Sequence, residues 1–230
     1  MSVENLPGDV HSALTSRRSI RRYLPTDVPQ ETLARILRGA GYAPSGHNSQ
    51  PWKVYVLRGA TKQRVTDGIL KAVATEPEAA HQPEYDYYPT EWFDPYLTRR
   101  RRVGHSLYSL LGIERSDKAA RDRQMAENFS FFGAPVGIFV TFDRRLATGT
   151  FMDIGMFLQS IFVGARGEGL DTCGQAVFTW YHKVIRDILP MQDEELLACG
   201  LSMGYADPAA PENQLFAEKL DLSEYCVFLD

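Results

Sequence analysis

The sequence predicts an α+β domain. Three observations lead there: segments with helical periodicity outnumber strand-like ones, the two kinds occur both in alternation and in consecutive runs, and 230 residues at 44% hydrophobic content suffice for one sizeable core. No shift in composition marks a linker, so residues 1–230 are expected to form a single domain.

In chain order, Val10 to Thr15 reads as a short helix, and Pro29 to Gly39 as a second that sets Leu33, Ile36, Leu37 and Ala40 on one face, with Pro29 in its first turn. Trp52 to Leu57 alternates and is rich in β-formers, which predicts a strand, and Thr61 to Thr75 is helical. From Glu76 to Tyr96 the chain carries Pro77, Pro83, Pro89 and Pro95 among Tyr85, Tyr87, Tyr88, Trp92, Phe93 and Tyr96. That is too much proline for a helix and too many rings for a disordered linker, so an ordered excursion is expected, serving either as satellite core or as a pocket wall. Helices over Tyr96 to Leu111 and Asp117 to Phe131 follow, then a strand over Val136 to Phe142.

Thr150 and Asp153 have capping-box spacing and open a helix to about Arg166. Phe151, Ile154, Phe157, Leu158, Ile161, Phe162 and Ala165 keep helical period while Met152, Met156 and Val163 make other faces apolar, so this helix is expected to be buried nearly all round or to cover a subunit interface. Next come a Gly-Leu-Asp-Thr-Cys-Gly turn, a helix near Tyr181 to Leu189, a strand over Leu196 to Gly204, and a tail ending in the strand-like Tyr225 to Leu229.

A net charge of -4 argues against binding nucleic acid through a basic surface. One local exception is Arg99 to Arg102, followed by Arg115, Lys118, Arg121 and Arg123. This is either a solvated, salt-bridged helix face or a set from which one or two arginines meet a substrate carboxylate or the phosphates of a nicotinamide donor. Cys173, Cys199 and Cys226 form no Cys-x-x-Cys pair and no metal-ligand spacing, so reduced thiols and no metal are expected. Met1 to Asp9 lacks a signal-peptide pattern and no run reaches the length of a membrane span, which places the protein in the cytoplasm, away from membranes.

Two short segments carry the chemistry. Arg17-Arg18-Ser19-Ile20-Arg21-Arg22-Tyr23 offers guanidinium forks and a hydroxyl, suited to gripping a phosphate and to placing positive charge beside an anionic ring. About twenty residues later, Ala43-Pro44-Ser45-Gly46-His47-Asn48-Ser49-Gln50-Pro51-Trp52 is a small-residue loop whose backbone can approach a planar ligand closely.

The order R-R-S-I-R-x-Y, A-P-S-G-x-N-S-Q-P-W, then G-L-D-T-C-x-Q resembles the FMN-dependent nitroreductase family, collinearly over nearly the whole chain. The resemblance implies a central mixed sheet wrapped by helices and an intertwined homodimer in which the C-terminal tail joins the partner's sheet. It also implies roles for individual residues. Arg17 and Ser19, with Arg18 adjacent, would hold the FMN phosphate and ribityl chain, and Arg21 would lie near flavin N1 and favour the reduced ring. Pro44, Ser45, Gly46 and Asn48 would reach the cofactor from the other subunit, and Gly174, Gln175 and Ala176 would form a turn facing flavin N5. Two positions depart from the family pattern: Gly174 stands where proline is usual, and in the tail run Asn213 to Lys219 a phenylalanine, Phe216, takes one arginine position while Lys219 takes the other as a phosphate ligand.

The implied activity is hydride transfer from NADH or NADPH through FMN to a small planar acceptor, a nitroaromatic above all, with no catalytic side chain required because the flavin carries the chemistry. His47, Trp92 and Phe93 are the candidate substrate contacts; for His47 a purely local hydrogen-bonding role stands beside that of a proton donor. Reductive dehalogenation, enone reduction or dehydrogenation on the same scaffold, and a non-catalytic flavin-binding module, are the alternatives. Gly200-Leu201-Ser202-Met203-Gly204 matches the nucleophile elbow of serine hydrolases only formally, since Tyr205 to Pro211 cannot start the helix such an elbow needs. No Rossmann or P-loop glycine motif occurs, so a nicotinamide donor would visit beside the flavin without a motif-marked site of its own.

Overall fold

The computed structural model describes residues 9–229; the stretch read for a leader therefore lies, but for Asp9, outside the described residues. Four strands, β1 (Lys53–Leu57), β2 (Val136–Asp143), β3 (Asp171–Gln175) and β4 (Glu195–Gly204), form one sheet in the order β1-β2-β4-β3. Helices α1 (Val10–Ser16), α2 (Gln30–Ala40), α3 (Gly59–Thr75), α4 (Tyr96–Leu110), α5 (Lys118–Ala126), α6 (Thr150–Gly167) and α7 (His182–Ile188) surround it.

Period-two alternation gives the sheet two apolar faces. Val136, Ile138, Val140 and Phe142 pack with Leu33 and Ile36 of α2 and with Ile154, Phe157 and Ile161 of α6. On the other face Phe139, Leu57 and Leu197 meet Val65 and Ile69 of α3, Ile185 of α7, and the rings of Phe129, Phe131, Phe132 and Phe178. Those rings lie so close that a Cβ on Gly137 would come within 2.5 Å of Phe131. The α+β expectation and most element positions hold, and no described helix is long and apolar enough to cross a membrane.

Several expectations change. All three strand pairings are antiparallel. Among the described residues the parallel component is a single bridge, Ser19 to Thr172, because the chain leaves β3 at once and Tyr23 bridges Ala206 instead. The Gly-Leu-Asp-Thr-Cys-Gly stretch is not a turn: Asp171 to Gln175 pairs along β4 from Gly204 to Gly200. Pro29 precedes the first turn of α2 as its N-cap, and α6 starts at Thr150 itself with Gly149 as N-cap and no side-chain cap, so Asp153 is free for another partner. The helix expected to reach Phe131 stops at Ala126, with Phe131 and Phe132 at positive φ. In one chain α6 buries one face only and leaves Met152 73% exposed. Tyr225 to Leu229 forms no strand within the chain, and its side chains at Tyr225, Val227, Phe228 and Leu229 are exposed.

Candidate functional site

The arginine cluster runs beside the free edge of β3, held by the Ile20 amide, which donates to the Thr172 carbonyl at 3.1 Å. Buried Asn213 fixes its backbone: Oδ1 accepts from the Arg21 amide at 2.8 Å and Nδ2 donates to the Arg22 carbonyl at 2.8 Å. The Asn213 carbonyl in turn accepts from Arg18 at 2.9 Å, and the Arg18 guanidinium lies 4.2 Å from the centre of the Phe216 ring. Arg18 is thus occupied with the tail rather than presented to a ligand. Its neighbours divide sharply by charge pairing. Arg22 is saturated by Glu212 at 3.0 Å and Glu127 at 3.3 Å. Arg17 and Arg21 pair with no carboxylate among the described residues; Arg21 donates only to the Ser19 carbonyl, at 3.2 Å.

Arg17 lies 6.0 Å from the centre of the Phe162 ring, and a Cβ on Gly174 would stand 3.3 Å from the tip of the same ring. Arg17, Phe162 of α6 and Gly174 of β3 therefore converge. Next along β3, the Gln175 side chain is buried, donates to the Asn128 carbonyl at 2.8 Å, and leaves its Oε1 without a partner. Ala176 begins a 3-10 segment to Tyr181. Burial pushes the Cys173 thiol up in spite of nearby Arg21, Ser19 and Arg17, so it stays protonated and is no nucleophile.

The small-residue loop is strained and exposed. His47, Asn48 and Gln50 all have φ between +46° and +56°, a region non-glycine residues enter only when held there. Two side chains hold it: Ser45 Oγ accepts from the Gln50 amide at 3.0 Å, and Asp153 of α6 accepts from the Gly46 amide at 3.2 Å. Asp153 lies nine residues before Phe162, about 14 Å along the helix at 1.5 Å per residue. Within one chain, then, the loop and the arginine cluster sit toward opposite ends of α6 and are not brought together.

Of the remaining candidates, Phe93 is exposed and Trp92 half-buried, beside Tyr88 at 5.4 Å and beneath Arg100 at 4.7 Å. Tyr85 is different, packing on Phe151 at 4.6 Å as part of the core margin. Lys219 is exposed in a groove against α4 with Arg99 and Arg102. The formal nucleophile elbow is disposed of, since Ser202 is fully buried in β4 and shares a 3.0 Å hydrogen bond with Tyr23. No cluster able to hold a metal occurs among the described residues. Sequence reasoning missed Asp153, Asn213 and Phe162 as site residues. For Asp153 the signal was present, since an acid in the first turn without a cap to serve is available to a neighbouring loop.

The residues present fit a flavin nucleotide: unpaired Arg17 and Arg21 beside the Ser19 hydroxyl for a phosphate, an exposed Gly174 over an aromatic floor for a planar ring, and an orphaned buried acceptor at Gln175 for a ring N–H.

The profile of the nitroreductase family matches residues 14–205. The chain belongs to the nitroreductase family. Among curated family members it is 39% identical over 220 residues to the nitrobenzene nitroreductase of Ectopseudomonas oleovorans, covering 96% of each chain. Among solved nitroreductases it superposes on the FMN and NADPH-dependent NfnB of a Sphingopyxis strain with TM-score 0.93 and 37% identity, over 96% of this chain and 99% of that one. It superposes equally fully on NfnB of Mycobacterium smegmatis in complex with NADPH, with TM-score 0.90 and 29% identity over 96% and 100% of the two chains.

Proposed function

We propose that this nitroreductase is a homodimeric, cytoplasmic FMN enzyme that takes hydride from NADH or NADPH and passes it to a nitroaromatic acceptor in the same slot. The observation that carries the reading is that Arg17, beside Phe162, and Arg21 pair with no carboxylate among the described residues, while the other arginines of the cluster are engaged. Bound FMN would supply the hydride-accepting and hydride-donating ring atom. The chain supplies grip and tuning. Arg17 and Ser19 would hold the phosphate, assisted by Lys219, and Arg21 would place a fixed positive charge where negative charge gathers on reduction. Gly174, Gln175 and Ala176 would line the ring edge, the amide at Gly174 free of a crowding side chain.

Pro44, Ser45, Gly46 and Asn48 would complete the partner's site, because their own arginine cluster is about 14 Å away along α6. The exposed methionines of α6 and the exposed apolar tail from Tyr225 to Leu229 provide surface for such a pairing. His47, Trp92 and Phe93 would bound the acceptor slot. Reduced Cys173, Cys199 and Cys226 accord with a cytoplasmic location. The overall reaction to the hydroxylamine balances as nitroarene plus two NAD(P)H and two protons, giving hydroxylamine, water and two NAD(P)+. Steady-state rates with varied NADPH and nitrobenzene test the reading: parallel double-reciprocal lines and hydroxylamine product are expected, and absence of turnover with either donor across several nitroarenes refutes it.

A further inference from the structure

Apart from Arg123, which lies outside the cleft described below, the arginines and lysine of α4, α5 and their connection sort into two groups. Arg99 and Arg100 rest 5.7 and 4.7 Å from the ring centres of Tyr96 and Trp92, Arg102 pairs with Glu218, and Lys118 pairs with Asp122. Arg101, Arg115 and Arg121 have no carboxylate partner among the described residues, and all three line one cleft of about 730 Å³ between the C-terminal half of α4 and the start of α5. Helical spacing brings this about: Arg101, His105 and Tyr108 recur at i, i+4 and i+7 on one face of α4, while Arg115 and Arg121 approach from the connection and from α5.

Three guanidiniums sharing one cleft repel one another. The single acid in the lining, Glu114, can neutralise only one of them. The Nε of Arg121 is buried with no hydrogen-bond partner. Exposed Arg101 and Arg115 beside Arg121, in a cleft of net positive charge, call for an anion with several acceptor oxygens, and the arginine fork matches phosphate. Tyr108 and Ile113 give an apolar wall, Ser109 and His105 add polar contacts, and Gly104 and Gly112 leave open space where side chains would intrude. The volume suits a small molecule of nucleotide size.

We propose that the cleft between α4 and α5 binds the phosphate-bearing end of a nucleotide. Two sources share that chemistry: the 2′-phosphate end of NADPH and the 5′-phosphates of a free adenine nucleotide. Assigning the cleft to the donor rests on the oxidation of NADPH proposed above; phosphate binding itself does not.

The test is calorimetric titration of the FMN-loaded protein with adenosine 2′,5′-bisphosphate and with ATP, on the wild type, on the double variant Arg101→Gln/Arg115→Gln, and on Arg123→Gln as a control on α5 outside the cleft lining. Arg101 and Arg115 are exposed, so the double variant retains its fold, checked by thermal unfolding. At least tenfold weaker nucleotide binding in the double variant, with Arg123→Gln unchanged, is expected. Tighter binding of the 2′,5′-bisphosphate assigns the cleft to NADPH, and tighter binding of ATP assigns it to a free nucleotide. Binding equal in wild type and double variant, or absent with both nucleotides, overturns the proposal. The two failures are separable: flavin reduction by NADPH without cleft binding removes only the cleft, while cleft binding without flavin reduction removes only the function.

Discussion

The Asp153 carboxylate accepts the Gly46 amide at 3.2 Å, tying the first turn of α6 to a loop in which three non-glycine residues hold positive φ. Without that bond the loop loses one of its two side-chain anchors and can relax from a strained shape. Asp153→Ala should weaken FMN binding by about 0.5–1.5 kcal/mol, the net scale of one such hydrogen bond. Asp153→Asn keeps an acceptor oxygen and should recover most of the loss. Fluorescence titration of the apoprotein with FMN reads both; equal affinity in all three proteins would mean that the loop holds itself.

Arg17 and Arg22 are near neighbours with opposite expected phenotypes. Arg17→Ala should weaken FMN binding by about 1.5–3 kcal/mol, since a charge-assisted contact to phosphate is lost and no protein ion pair is broken. Arg22→Ala instead strands Glu212, whose side chain is 3% exposed, and should lower stability by about 1–3 kcal/mol in urea unfolding. Interchanged phenotypes would place the phosphate at Arg22.

How far the sequence reveals this site depends on how local each signal is. Helices α2 and α6 and strands β2 and β4 carry long apolar patterns of the right period, and the two segments proposed to hold the cofactor are short and contiguous. The residues of β3 read as a turn because Asp, Gly and Cys give no strand pattern; only pairing with β4, some thirty residues onward, makes them a strand. The clamp by Asn213 joins residues about 190 apart in sequence, so no window of sequence displays it. The tail from Tyr225 onward is a strand-like apolar run, yet a strand needs a neighbouring edge, and among the described residues none pairs with it.

Glu195 gives the fold an acid limit. Burial alone would raise its carboxyl, but the Gln192 amide, the Lys53 ammonium and the Thr141 and Tyr55 hydroxyls together outweigh burial and hold it at about 2. A carboxyl depressed in the folded state stabilises it above the unfolded value, near 4.5, and that contribution fades as pH falls from there towards about 2. Glu195→Gln should therefore be less stable at neutral pH, by up to about 3 kcal/mol. Its stability should also vary less between pH 5 and 2 than that of the wild type, in urea unfolding at stepped pH. Parallel pH profiles would remove Glu195 as the source of the acid limit.

Phe93 is 61% exposed, so its ring contributes little to the core of one chain. If it bounds the acceptor slot, Phe93→Ala should lower kcat/KM for bulky nitroarenes about tenfold, equivalent to about 1.4 kcal/mol, with FMN content and thermal stability unchanged. Trp92→Ala should do the same and also free Arg100 and Tyr88 from their packing. Unchanged kinetics across several acceptors would make both rings structural.

The most direct test of FMN-mediated hydride transfer is anaerobic stopped-flow spectroscopy on the purified protein at its flavin absorbance. One FMN per chain should bleach on mixing with NADPH or NADH and recover its colour when nitrobenzene is added in place of oxygen, with the Arg17→Ala protein recovering both phases at saturating FMN. A colourless protein that takes up no added FMN, or a bound flavin that neither donor bleaches, would contradict it.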